Sequence, residues 1–222
     1  MKFFINIFTK SNIKHFIVII FLLIIYILIS AFSYVTAVKN DLKENLFRLH
    51  VIANSDSAED QNLKYKVRDN VINYMNTLCK NAKSKSEAIQ IAKEHSDDFY
   101  EIAKKTVTDN GYYYTVKINF GNFDFPTKNY GDISLPSGNY DAMRIELGEA
   151  NGQNWWCVMF PPLCFVDISS GIVPENSKEI LKDSLSNEEE YILLTDEKKS
   201  DMKFKFKLLE IFQNAKIKTA KK

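Results

Sequence analysis

Three cysteines and three histidines are the side chains of this sequence that could serve as nucleophiles, general bases or soft metal ligands. Cys157 as a nucleophile with His50 as its base is the one catalytic pair that these residue types allow. Cys157 lies in the most apolar run of the chain, however, and burial there predicts a thiol with a raised pKa. A catalytic role for Cys157, as in an exported cell-wall hydrolase, is therefore a weaker hypothesis than a buried cysteine without catalytic function.

The other patterns do not indicate a catalytic or metal site. His15 borders an apolar segment, and His95 falls on the apolar stripe of a predicted helix, where we expect a hydrogen-bonded core residue. No two histidines stand four residues apart, as zinc ligands on one helix do. Glycine-rich phosphate loops and Gly-x-Ser-x-Gly elbows do not occur. The sequence predicts no catalytic residue, metal, cofactor or small-molecule substrate, and hence no enzyme.

Cys157 and Cys164 flank Pro161-Pro162, and a tight reversal at the prolines would bring the two Cα atoms within disulfide range. Such a bond persists outside the cytoplasm. The alternative is a pair of buried, reduced cysteines that pack as small hydrophobic residues. Cys79 has no partner in either case.

An uncharged apolar segment extends from Phe16 to Val38, and about twenty such residues cross a bilayer as a helix. Lysines are more frequent before it than after it, which places the N-terminus in the cytoplasm and the remaining chain outside. We predict that residues 1–40 are a cytoplasmic N-terminus plus a membrane helix at about 16–38, and that residues 41–222 are one exported domain. Val35-Thr36-Ala37 permits signal-peptide cleavage, whereas the length of the apolar run favours an anchor.

The charges of the chain nearly balance, with 29 lysines and arginines against 28 aspartates and glutamates. A dedicated nucleic-acid-binding domain carries a basic excess. We therefore expect no nucleic-acid partner.

The first part of the domain predicts a strand and two helices. Apolar residues from Phe47 to Ala53 alternate with Arg48 and His50, which predicts a half-buried strand with a polar second face. Ser57 and Asp60 resemble a capping box at the start of a helix whose apolar residues recur at spacings of three and four up to Leu78. A second helix is predicted from near Ser86 to the stop at Asn110-Gly111.

The second part of the domain changes to period two, which predicts strands from Tyr112 to Phe120 and from Met143 to Leu147. The run Trp155–Phe160 is apolar on both faces, which predicts a central strand that ends at Pro161. A short helix after Pro174 and a last strand at Phe204–Leu208 follow. This order predicts an α+β domain, an antiparallel or mixed sheet with helices packed on one face.

Two long blocks of this sequence resemble the stage II sporulation protein R family of endospore-forming bacteria. The first is Arg48-Leu49-His50-Val51-Ile52-Ala53-Asn54-Ser55-Asp56-Ser57, followed by Asp60-Gln61, Leu63-Lys64 and Val67-Arg68-Asp69. The second is Pro136-x-Gly138-x-Tyr140-x-Ala142-x-Arg144 with Asn154-Trp155-Trp156-Cys157-Val158-x-Phe160-Pro161-Pro162-Leu163-Cys164-Phe165. One departure is Ala150, which stands where the family pattern has glycine. If that position needs a positive φ, alanine is strained there.

The resemblance implies a signalling role. Members of the family are made in the smaller compartment after asymmetric division, the forespore. They are exported from it into the space between the two septal membranes, where they are either membrane-anchored or secreted. There they trigger a membrane-embedded aspartic protease of the larger cell, which cleaves the precursor of an early mother-cell sigma factor. A passive envelope-binding domain is the third hypothesis, beside the hydrolase.

We expect the partner to contact the polar surface where the first strand ends. The predicted contact residues are Arg48, His50, Asn54, Ser55, Asp56, Gln61, Arg68 and Asp69, with Trp156 as an aromatic anchor. The alternative for Asn54, Ser55 and Asp56 is a turn. The alternative for Arg68 is an ion pair with a neighbouring carboxylate.

Overall fold

The computed structural model describes residues 10–164, 173, 175–185, 191 and 194, with side chains from Ile13 onward. The chain divides into two compact units, Met1–Asn40 and Asp41–Lys222. The predicted last strand at Phe204–Leu208 lies outside the described residues.

Helix α1, Lys10–Asn45, is longer than the segment predicted at 16–38. Among the described residues, one helical segment is long and apolar enough to cross a membrane, and it is Ile13–Asn45 of α1. A membrane anchor and a signal sequence both satisfy this criterion. The last turn of the helix, from Asp41, belongs to the second unit, where Leu42 and the following Leu46 are fully buried.

The second unit is an α+β domain built on a mixed sheet, as predicted. The sheet has the strand order β2-β5-β1-β6; β1 is parallel to β5 and antiparallel to β6, and β2 is antiparallel to β5. Strands β3 and β4 form a separate two-stranded sheet. The elements are β1 Phe47–Ile52, α2 Ala58–Leu78, α3 Lys85–Glu94, α4 Ser96–Asp109, β2 Val116–Phe125, β3 Lys128–Tyr130, β4 Ile133–Leu135, β5 Gly138–Leu147, β6 Asn154–Phe160 and α5 Glu175–Ser184.

Helices α2, α3 and α4 cover one face of the four-stranded sheet. The sheet side of this core contains Leu49 and Val51 of β1, Met143 and Ile145 of β5, and Cys157 of β6. The helices contribute the apolar residues at spacings of three and four, including Leu63, Val67, Val71, Ala92, Phe99 and Ala103. Periodicity along the sequence therefore identified the helix faces that are buried.

The predicted second helix is two helices, and the prediction of a core histidine at 95 was wrong. Helix α3 ends at Glu94 and α4 starts at Ser96. His95 lies at the junction with its side chain 39% exposed and hydrogen-bonded to Asp98 at 2.7 Å. The apolar pattern continues through this break because both helices bury residues against the same sheet, so periodicity alone did not reveal it.

Strand β1 is buried on both faces, so the prediction of a half-buried strand was wrong. Arg48 has no exposed surface and His50 is 6% exposed. The face opposite the helices is covered by aromatic side chains, Phe125 of β2, Tyr130 of β3 and Tyr140 of β5. Alternation of polar and apolar residues thus marked the two faces of β1 correctly, but the polar face does not meet solvent.

Strand β6 lies at the end of the sheet in the described part of the chain, whereas its apolar run predicted a central strand. Residues Cys157–Phe160 are nevertheless buried. The apolar run reports that both faces of the strand are covered, and it does not report how many strands pair with it. The strand ends at Phe160, directly before Pro161, as predicted.

The loop after β5 contains the position at which glycine was expected. Gly148 has φ 58° and Ala150 has φ 52°, so both residues adopt the left-handed conformation. The Cβ atom of an L-residue is crowded by backbone in this region, which costs about 1–2 kcal/mol. Ala150 is therefore strained.

We predict that Ala150→Gly raises the free energy of unfolding by about 1 kcal/mol, because glycine adopts this conformation without steric cost. Urea unfolding of the detergent-solubilised chain, followed by tryptophan fluorescence, measures this change. Both tryptophans, Trp155 and Trp156, lie in the domain and report its unfolding. The control Ala58→Gly, at an exposed helical position, should give no gain. Equal effects of the two changes would contradict the prediction.

Candidate functional site

The side chain of Arg48 is enclosed by aromatic rings. Its guanidinium carbon lies 4.1 Å from the ring centroid of Phe125, 4.9 Å from that of Tyr140 and 5.9 Å from that of Tyr130. Arg48 Nη2 donates a hydrogen bond of 2.6 Å to the Tyr130 hydroxyl, and Nε donates to the carbonyl of Cys157 at 3.3 Å. The negative ring faces stabilise this buried cation. Arg48 therefore joins β1 to β3 and β6, and it does not present a surface to a partner.

The two tyrosines of this enclosure remain neutral. Burial raises the pKa of Tyr130, although Arg48 opposes this effect, and burial raises the pKa of Tyr140 to about 12. The Tyr130 hydroxyl can then donate to the carbonyl of Trp156, at 3.1 Å, while it accepts from Arg48. Neutral groups thus hold the buried charge.

His50 is buried against Trp156. The two rings stack with centroids 3.9 Å apart, and His50 Nε2 donates to Asn154 Oδ1 at 2.7 Å. Burial lowers the pKa of His50; the hydrogen bond to Asn154 opposes this effect, and the nearby charge of Arg144 adds to it. The imidazole is therefore neutral at neutral pH, and it supports Trp156 from within the domain.

Cys157 and His50 do not form a catalytic pair. Cys157 lies opposite Leu49 in the β1–β6 register, whereas His50 lies opposite Trp156, so the two side chains project from opposite faces of the sheet. Cys157 is also joined to Cys164 by a disulfide bond, with Cα atoms 5.6 Å apart. The described residues contain no group of His, Cys, Asp and Glu side chains that could hold a metal ion.

Cys79 is the free cysteine. Burial raises the pKa of its thiol to about 11. The thiol is therefore protonated at neutral pH, and it lacks the nucleophilicity of a thiolate.

The polar residues that follow β1 form a hydrogen-bonded turn. Asn54 Nδ2 and Ser55 Oγ donate to Asp60 Oδ2 at 2.8 and 2.6 Å. Burial would raise the pKa of Asp60, but these bonds outweigh it and lower the pKa. Ser57 Oγ accepts from the backbone N–H of Asp60, which is half of the predicted capping box. The Asp60 carboxylate accepts hydrogen bonds from Asn54 and Ser55 of the turn, and it therefore does not complete the capping box.

This turn also holds the loop between β5 and β6. The backbone N–H of Glu149 donates to Asn54 Oδ1 at 3.0 Å, and that of Gln153 donates to Asp56 Oδ1 at 2.7 Å. A Cβ atom at Gly148 would lie 2.2 Å from Asn54 Oδ1, so this close approach requires glycine. Asn54, Ser55 and Asp56 therefore hold the two parts of the domain together, which is the turn that the sequence left as an alternative.

A cleft of about 400 Å³ lies beside β6, and we name it the β6 cleft. Strand β6 and the residues around it form its floor, helix α2 contributes one wall and strand β3 contributes the other. The lining residues are Lys64, Tyr65, Lys128, Asn129, Tyr130, Gln153, Asn154, Trp155, Trp156, Cys157, Leu163 and Cys164.

The charged residues of the cleft lining that the structure describes are two lysines, and no carboxylate lines it there. Lys64 is 1% exposed, and its Nζ donates to the side-chain oxygen of Gln61 and, at 3.0 Å, to the carbonyl of Gln153. Burial lowers the pKa of Lys64, and the nearby charge of Arg68 lowers it further. The cleft is therefore a positively charged, partly desolvated site.

Aromatic and cationic groups stack along the helix wall of the cleft. The guanidinium carbon of Arg68 lies 4.2 Å from the ring centroid of Trp155 and 5.0 Å from that of Tyr65. Arg68 also pairs with the carboxylate of Asp69 at 2.6 Å, the alternative that the sequence left open. Arg68 is 7% exposed, so it supports these rings from beneath, and partly exposed aromatic side chains such as Tyr65 and Trp155 are frequent at protein–protein interfaces.

The structure separates the predicted contact residues into two groups. Arg48 and His50 are buried behind the cleft, and Asn54, Ser55 and Asp56 form the turn. Trp156 lines the cleft, Gln61 bonds to the cleft residue Lys64, and the pair Arg68 and Asp69 adjoins it through the contact of Arg68 with Trp155.

Sequence reasoning missed Lys64, Tyr65 and Lys128. Lys64 and Tyr65 share one side of a helix with Gln61 and Arg68. This spacing could have indicated that Lys64 and Tyr65 belong to the same surface. Lys128 lies on a strand of three residues, which is too short for a period to be read.

Comparisons with known proteins agree with the two sequence blocks. Residues 43–170 match the family model described as Stage II sporulation protein R, a range that contains all the residues lining the cleft. The chain is 35% identical over 170 residues to the stage II sporulation protein R of Bacillus subtilis (strain 168), which covers 73% of this chain and 76% of that protein. No solved structure matches this chain.

We predict that the domain loses stability as the pH falls below 6.5, the ordinary pKa of histidine, because the pKa of His50 is lower in the folded state. The unfolded chain then binds a proton that the folded chain does not, so acid favours unfolding until the pH reaches the lowered folded-state pKa. Urea unfolding at pH 7.5 and 5.5 measures the loss. In His50→Gln, whose amide is neutral at both values, the loss should be smaller. An equal loss in both proteins would contradict the prediction.

We predict that the double variant Cys157→Ala/Cys164→Ala lowers the free energy of unfolding by about 2–3 kcal/mol, because the disulfide closes a short loop and restricts the unfolded chain. Cys79→Ala removes a cysteine without a crosslink and is the control, expected to cost less. Alkylation of the unfolded chain without reductant should modify Cys79 alone, and all three cysteines should react after reduction. Three adducts without reductant would show that the bond is absent.

Proposed function

The chain belongs to the stage II sporulation protein R family, and from this premise we propose that it is an exported signalling protein of endospore formation. It activates a membrane-embedded aspartic protease of the larger cell, which then cleaves the precursor of an early mother-cell sigma factor. The match over residues 43–170, which includes the whole described sheet, is the observation that carries the proposal. Family membership supports the role in sporulation.

The first unit supports export of the domain. Helix α1 has the length and apolar composition of a membrane anchor or a signal sequence. Lysines concentrate before the apolar segment, which favours a cytoplasmic N-terminus and a domain on the other side. The domain therefore leaves the forespore and acts in the space between the two septal membranes, where confinement raises its effective concentration.

The proposed activator works by binding and not by chemistry of its own. Cys157 is in a disulfide bond and faces away from His50, so the hydrolase hypothesis has no support from this geometry. An activator shifts its partner only if it binds the active state more tightly than the inactive one. The domain must therefore present a surface that is specific for one state of the protease.

We place the contact with the protease at the β6 cleft. Tyr65, Trp155 and Trp156 keep part of their surface exposed there, and Arg68 stacks on two of these rings. Rigid aromatic side chains supply large contact areas at low conformational cost, which is the property of interface hot spots. The buried residues Arg48 and His50 support this surface from behind.

Coexpression of the full chain, the protease and the sigma-factor precursor in a bacterium that does not sporulate tests the proposal, with precursor cleavage followed by immunoblotting. We expect cleavage only when all three proteins are present. Tyr65→Ala should reduce cleavage by about tenfold or more, as loss of an interface hot spot does. Tyr100→Ala is the matched control, because Tyr100 is 39% exposed and Tyr65 is 38% exposed. Tyr100 does not line the cleft.

Other outcomes would favour the rival functions. If the exported chain does not promote cleavage, the proposed function is wrong. Sedimentation of the purified chain with peptidoglycan, without activation, would identify an envelope-binding domain. Release of cell-wall fragments that Cys157→Ser abolishes would identify a hydrolase.

A further inference from the structure

We propose that the β6 cleft receives a short, extended, acidic segment of the protein partner, with a carboxylate bound by Lys64 and Lys128. This inference rests on the proposed function, because it names the kind of segment that the protease would present.

The buried charge of Lys64 is the first reason. Its ammonium group contacts two neutral oxygens, of Gln61 and Gln153, and it has three N–H donors. The guanidinium of Arg68 is near enough to disfavour the charge of Lys64, while Asp56 favours it. Removing a cation from water is costly, and two neutral oxygens with the ring of Tyr65, whose centroid lies 4.8 Å from Nζ, compensate this cation less completely than an anion does. A carboxylate entering the cleft would supply that compensation.

Donors without acceptors are the second reason. Within the described residues, the side chain of Lys128 lines the cleft without a hydrogen bond or ion pair, and the buried Trp155 Nε1 has no acceptor. A carboxylate only accepts hydrogen bonds, and it offers about four lone-pair sites. A lysine or arginine side chain of a partner would instead meet like charge here. The cleft chemistry therefore selects an acidic side chain.

The shape of the cleft indicates an extended segment. Five consecutive residues, 153–157, line its floor, and β6 is the end strand of the described sheet. Four of these residues belong to strand β6, and four residues of strand extend about 13 Å, which accommodates a segment of similar length. Tyr65 and Trp156, which keep part of their surface exposed, provide apolar contacts for the residues that flank the carboxylate. Recognition of an extended peptide beside a strand edge is a frequent mode of protein binding.

The test measures peptide binding to the full chain in detergent by fluorescence anisotropy. The probe is the labelled peptide Gly-Leu-Glu-Phe-Glu-Gly, and its matched form has glutamine in place of both glutamates. We expect the acidic peptide to bind about tenfold more tightly at low ionic strength, and the difference to shrink in 0.5 M salt, since salt screens exposed charges. Equal binding of the two peptides would overturn the inference.

Two charge reversals locate the site. Lys128→Glu should abolish the preference for the acidic peptide, whereas Lys117→Glu should preserve it. Lys117 is exposed on β2 and does not line the cleft, so the two variants share the same change in net charge. Equal effects of the two reversals would show general electrostatic attraction and would overturn the assignment to the cleft. The charge reversal is made at Lys128 because Lys64 is buried, and replacing Lys64 would endanger the fold.

The sequence contains an acidic run, Glu188-Glu189-Glu190, that is a competing occupant. If replacement of these three glutamates by glutamine tightens binding of the acidic peptide, the run occupies the cleft and a partner segment does not. Unchanged binding supports the partner.

Precursor cleavage separates the two proposals: if Lys128→Glu loses peptide preference but activates cleavage fully, the inference fails and the proposed function stands. If the unmodified chain binds the acidic peptide and activates no cleavage, the proposed function fails.

Discussion

The burial of the Arg48 charge is the interaction on which the architecture of this domain depends. A cation without a carboxylate partner in the described structure is costly in a protein interior. Here the faces of Phe125, Tyr130 and Tyr140 surround it, and hydrogen bonds to a hydroxyl and a carbonyl complete its environment. These contacts draw β3 against the sheet face opposite the helices. Without that layer, β1 would be half-exposed and the β6 cleft would lack one wall.

The second constraint is the turn that follows β1. Asn54 and Asp56 bind the backbone of the loop between β5 and β6, and Asp60 orders Asn54. The turn therefore sets the point at which β6 begins, and with it the position of Gln153, whose carbonyl binds Lys64. These residues, which the sequence suggested for partner contact, thus lie behind the proposed contact surface, where their hydrogen bonds keep the cleft in one shape.

A preorganised cleft suits the proposed activation of a partner by binding. Ordering a flexible surface on association lowers affinity, so a rigid one retains more of its contact energy. His50 stacks on Trp156, and Arg68 stacks on Trp155 and Tyr65, so each aromatic ring of the proposed surface is supported by a neighbour. In this arrangement the disulfide of Cys157 has a structural role, linking β6 to the residues that follow the two prolines.

By itself, the sequence determined the elements that depend on local chemistry. Neighbouring residues account for the membrane-length apolar segment, the capped helix α2, the helix stop at Gly111 and the end of β6 at Pro161. The tertiary structure alone decided that Arg48 and His50 are buried, that β6 is the end strand of the sheet formed by the described residues and that Lys128 joins Lys64 in one cleft. The physical reason is that period and propensity report whether a face is covered, whereas the identity of the covering element depends on residues distant in the chain.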